Sequence, residues 1–124
     1  MRYAWVVVLA VLPLACGRRQ EVTSHGQPVS HWVAELKAPD VKARRQAVKA
    51  LGNLGKADPA VVPALTEALQ DADAEVRNRA VLALLRLGPD ARDALPALEE
   101  ASRQDSDATV RANAGKAVRR VAGG

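Results

Sequence analysis

The chain repeats itself every 33 residues, and no other feature constrains its fold as strongly. The segment HWVAELKAPDVKARRQAVKALGNLG, from His31, aligns without a gap on ALTEALQDADAEVRNRAVLALLRLG, from Ala64. Trp32 then meets Leu65, Leu36 meets Leu69, Asp40 meets Asp73 and Leu54 meets Leu87. A third copy keeps the register of 33 through Leu98 and gains one residue in its turn, so that Asp107, Val110, Arg111, Ala114, Ala117 and Val121 follow at 34. Periods of this length mark solenoids, in which each unit buries its apolar side only against its neighbours. Every copy holds two apolar runs at helical spacing, such as Val62/Leu65/Leu69 and Val76/Ala80/Ala83/Leu84/Leu87, and therefore reads as a helical hairpin. The expected fold is all-α, a short α-solenoid of three hairpins within residues 29–124, with repeats at about 29–57, 58–89 and 90–122. Composition agrees, because the 48% of hydrophobic residues are almost wholly Ala, Val and Leu while aromatics make up 2%. So few aromatic rings cannot furnish a platform for stacking nucleobases or an aromatic substrate pocket.

The turns carry their own signals. Asp40, Asp73 and Asp107 each stand just before a second helix, where a short carboxylate accepts orphan backbone N–H groups. Arg44, Arg77 and Arg111 follow four residues later, a spacing that puts each Asp and Arg on one helix face and predicts three structural repeat pairs, able to lock the turn to the helix and to reach the next repeat. Gly55 and Gly88 are placed to stop helices, and Pro63 and Pro96 to bend or delay the first helices. Residues present in every copy are needed by every copy, so the Asp/Arg pairs read as structural.

The stretch VPALTEALQDADAEVRNRAVLALLRLG joins a Pro-containing first helix, an Asp turn, Val76-Arg77 and an Ala80/Ala83/Leu84 face. In this it resembles HEAT repeats, and more closely the short HEAT-like repeats named after the phycobilisome lyases. The resemblance covers residues 29–122 and implies a protein-binding scaffold, with second helices lining the concave side. Some members of that group attach bilins to phycobiliproteins, so a bilin-lyase-like enzyme, or an accessory subunit of one, is the alternative it implies.

Residues 1–15 read as an export signal: Arg2 gives a positive n-region and Ala4 to Leu14 an apolar stretch too short to span a bilayer. LPLAC, ending at Cys16, resembles the lipobox of bacterial lipoproteins, in which the Cys is diacylated and becomes the new N-terminus. The expectation is lipidation at Cys16, an exported protein anchored in a membrane and facing the periplasm or cell exterior, and a flexible tether through residue 28.

The charge is uneven. Off the apolar face of the second helices stand Lys42, Arg45, Lys49, Arg86, Lys116 and Arg120 against Glu75 alone, with Leu82 in their midst. The first helices lean the other way, where Glu35, Glu67, Asp90, Asp93, Glu99 and Glu100 outnumber Lys37, Arg92 and Arg103. An apolar residue rimmed by cations predicts a binding face for a protein with an acidic surface, formed by Lys42, Arg45, Lys49, Leu82, Arg86, Lys116 and Arg120. Anionic lipid headgroups are a rival target for it.

Catalytic and metal chemistry find little support in the residues. Asp71-Ala72-Asp73-Ala74-Glu75 opens like a calcium loop, but Val76 takes the place of the sharp-turn Gly and Leu82 that of the bidentate Glu. His25 and His31 have no third ligand near them, and the repeats hold no Cys or Tyr. The expectation is a non-enzymatic scaffold with no cofactor, metal, small-molecule substrate or nucleic-acid partner; a DNA-holding basic groove is the least favoured reading, because export argues against it.

Overall fold

The computed structural model describes residues 21–123. It is a row of three helical hairpins: α1 (Val29–Glu35) with α2 (Val41–Leu54), α3 (Val61–Ala68) with α4 (Ala74–Leu87), and α5 (Leu95–Gln104) with α6 (Ala108–Gly123). Short 3-10 turns at Gly55–Ala57 and Gly88–Ala94 join one hairpin to the next. The second helices stack along the row, α2 against α4 and α4 against α6, and each first helix lies on the second helix of its own hairpin.

The punctuation read from the sequence sets these boundaries. Asp40 accepts the Lys42 N–H at 3.2 Å, Asp73 the Val76 N–H at 3.1 Å, and Asp107 the N–H groups of Thr109 and Val110 at 2.8 and 3.0 Å. At the other ends, Gly55 (φ 56°) and Gly88 (φ 57°) take a left-handed conformation that side chains with a Cβ resist, which turns the chain out of α2 and α4. Pro63 and Pro96 sit in the first turns of α3 and α5, where a missing N–H costs no helical bond.

One core runs the length of the stack. Leu51, Leu65, Leu84 and Leu98 are fully buried, and each stabilises the fold by about 1.5–3 kcal/mol through the area it removes from water. Between them Ala47, Ala80 and Ala114, and Ala50, Ala83 and Ala117, recur at equivalent positions, their small side chains letting second helices approach closely. Trp32 occupies the core position held later by Leu65 and Leu98.

The expected tether departs from its reading in its second half. Thr23–Ser24 (β1) and Gln27–Pro28 (β2) pair antiparallel, joined by His25 and Gly26 at φ 53° and 74°. Positive φ at both central residues is the tight turn that suits the twist of a hairpin. The Trp32 indole N–H donates to the Ser24 carbonyl at 3.0 Å, Val22 packs on the core and β1 lies against α2, so this hairpin belongs to the folded unit. Cys16 and the signal segment 1–15 lie outside the described residues. Among the described residues no helix is long and apolar enough to cross a membrane.

Candidate functional site

Parallel second helices bring side chains one repeat apart into a continuous surface. Residues Val48 and Lys49 of α2 and Arg79, Leu82, Leu85 and Arg86 of α4 line an open groove of about 510 Å³. Its floor is apolar because Val48 is buried, Leu85 is packed on the core and Leu82 is 39% exposed, the only large hydrophobic residue exposed to that degree among the described residues. Lys49 and Arg86 form the rim, exposed and without a carboxylate in salt-bridge range among the described residues.

Of the seven residues expected to bind a partner, the groove gathers Lys49, Leu82 and Arg86. Lys42, Lys116 and Arg120 are exposed on α2 and α6 but do not line it. Arg120 instead lies over Gly88 and borders a smaller hollow with Pro89 and Arg119. Arg45 is committed elsewhere: its Nε and a terminal nitrogen both donate to Asp73 at 2.9 Å, and its other terminal nitrogen meets Glu75 at 3.0 Å. Glu75 is also the acceptor for Arg79 one turn on. Arg45 is therefore a tie between repeats rather than a loose cation. Sequence reasoning missed Val48, Arg79 and Leu85 as groove residues; the signals were Glu75/Arg79 at i,i+4 and a second leucine beside the core Leu84.

The expected Asp/Arg pairs are also redrawn. Arg44 does not pair with Asp40 nor Arg77 with Asp73, since each Asp is occupied at the start of its helix. One terminal nitrogen of Arg44 donates to the carbonyls of Ala38 and Pro39, and its Nε and second terminal nitrogen reach Asp71 of the next repeat at 2.9 and 3.4 Å. Arg77 repeats this on the carbonyls of Asp71 and Ala72 and on Asp105, at 2.9 and 3.1 Å. Arg111 donates to the Asp105 carbonyl at 2.6 Å. The acceptors are thus the first residues of two Asp-x-Asp turns, and each also accepts the N–H of the capping Asp at 2.9 Å.

These bonds move the acids. The Arg45 hydrogen bond holds the Asp73 carboxyl down at about 2, with the Val76 N–H assisting against the opposing cost of burial. Burial pushes Asp105 up, but the hydrogen bonds from Arg77 and the Asp107 N–H, with the charges of Arg77 and Arg111, outweigh it and leave Asp105 below the usual carboxylate range. The same bonds raise Arg45 and Arg77.

Three stacked helical hairpins with aligned second helices define an α-solenoid. The chain belongs to the HEAT-repeat family, whose model, HEAT repeats, matches residues 29–119. Among solved structures it is similar to the complex of CpcE and CpcF of phycocyanin lyase from Nostoc sp. PCC7120, at 28% identity and TM-score 0.63 over 77% of this chain and 37% of that one. An engineered protein matches at 23% identity and TM-score 0.62, over 77% of this chain and 45% of the other, and shows the fold alone. The chain spans less than half the length of both. No curated relative matches the sequence.

Proposed function

We propose that this protein is an exported, membrane-anchored HEAT-repeat scaffold that binds a partner protein with an acidic surface through its second helices. The observation that carries this reading is the groove between α2 and α4, with exposed Leu82 on an apolar floor and Lys49 and Arg86 on the rim. An apolar centre surrounded by charge is the anatomy of a protein-binding surface, the rim choosing the sign of the partner. The similarity to a two-chain complex supports association with another protein. Reversing Lys49, Arg86 and Lys116 to Glu should abolish salt-sensitive capture of the partner and leave helical circular dichroism intact; capture that survives places the interface elsewhere.

A second reading rests on the same relative, which is a lyase: an enzyme of the bilin-lyase kind or an accessory subunit to one. Co-expression with a phycobiliprotein acceptor and a bilin decides it, since a covalent adduct that depends on this chain requires that reading.

A further inference from the structure

The guanidinium groups of Arg44 and Arg77 do the same thing twice: one terminal nitrogen is fixed by carbonyls of their own turn, and the Nε edge grips an Asp of the following repeat. Arg111 is the third in the series and is held by the equivalent carbonyl, that of Asp105, at 2.6 Å. It is half-buried, and no carboxylate stands against its Nε edge among the described residues. A guanidinium fork with one nitrogen already fixed has less conformational freedom left to lose on binding, the condition under which an Arg recognises a carboxylate well.

The surroundings narrow the occupant. On α2, Arg44, Arg45, Gly52 and Gly55 face α4; their counterparts on α6 are Arg111, Ala112, Arg119 and Ala122. Ser102, Gly115 and Arg119 replace Leu69, Val81 and Leu85, so this face lacks the apolar residues that another stacked hairpin would bury. The Arg119 guanidinium lies beside Gly115, 3.8 Å from where a Cβ would stand, and adds a second cation about two turns from Arg111. A second copy of the chain is a poor fit as well, because the position equivalent to Asp71 and Asp105 in its first repeat is Ala38.

We propose that the outer face of α6 is a carboxylate-docking surface, in which the Nε edge of Arg111 receives an Asp or Glu side chain from an acidic segment of a partner protein. It is separate from the α2/α4 groove and stands or falls independently of it. The probe is a capped peptide copying residues 69–76, which carries Asp71, Asp73 and Glu75, titrated into the isotope-labelled full chain while the arginine Nε–H signals are followed by NMR. The Arg111 signal should move saturably, with an effect roughly ten-fold larger than that of the same peptide with Asn at both Asp positions, and should weaken as salt rises. Arg111→Lys should keep the fold and lose the effect, while Lys49→Glu/Arg86→Glu should keep it. An equal response to the Asn peptide or to inorganic phosphate, no response, or an Arg111 Nε–H already bonded to a carboxylate of its own chain overturns the proposal.

Discussion

Arg77 and Arg111 occupy the same repeat position, but only Arg77 also holds the Ala72 carbonyl, the Asp105 carboxylate and the Ser106 hydroxyl, so comparing the two shows what those added contacts contribute. The side chains of Arg77 and Asp105 are only 11% and 6% exposed, so removing the arginine strands a carboxylate that water hardly reaches. Arg77→Met should cost about 3–5 kcal/mol in urea unfolding, the cost of breaking a buried pair. Arg111→Met should cost well under half as much, because it orphans no acid; equal losses for the two would assign the effect to packing of the arginine stem. Acid should reveal the same ties. Asp73, at about 2, and Asp105 are both depressed in the folded state, so the stability they contribute is fully present above the ordinary carboxylate value near 4 and is lost as pH falls toward 2. Thermal melts from pH 7 to 2 should show a steep decline below about pH 4 that is shallower in Asp105→Asn, since that variant has one fewer proton to take up on unfolding.

Among the elements, α6 is the one most open to improvement. Gly115 lies in the middle of a 16-residue helix, where a Gly costs about 1 kcal/mol relative to Ala. An added Cβ would meet nothing nearer than Arg119 at 3.8 Å, an ordinary contact, so Gly115→Ala should recover most of that cost. The melting temperature should then rise by about 4–8 °C, the scale for a domain of this size. Hydrogen exchange offers a second view: among the described residues α6 has a neighbouring hairpin on one side only, so its amides should exchange faster than those of α4, and the Ala variant should narrow the gap. Protection of α6 equal to that of α4 in the wild-type chain would contradict this.

For the whole molecule, the anchor and the stack have to be tested separately. Cys16→Ala should move the protein from the membrane fraction to the soluble one while leaving its helical content and melting unchanged, because the residue lies outside the repeats; a wild-type protein found already soluble would remove the anchor from the proposed function. Most of the stack was legible in the sequence, because a residue's place in a repeat follows from local chemistry that recurs. The 33-residue period, the helical spacing of Val76, Ala80 and Leu84, the Asp caps and the Gly55 and Gly88 stops each act within a few residues of themselves, and they determined three hairpins and their boundaries. What local spacing cannot contain is the distance between one turn and the next, which the buried alanines set by letting α2, α4 and α6 come close. That distance decided that Arg44 reaches Asp71 instead of Asp40, that Arg45 is tied to Asp73 and Glu75, and that Val48, Leu82 and Leu85 meet across two helices as one floor. It also fell to the tertiary structure to fold residues 23–28, because two-residue strands carry no periodicity and their hairpin is held by the indole N–H of Trp32, a side chain buried in the core of the stack.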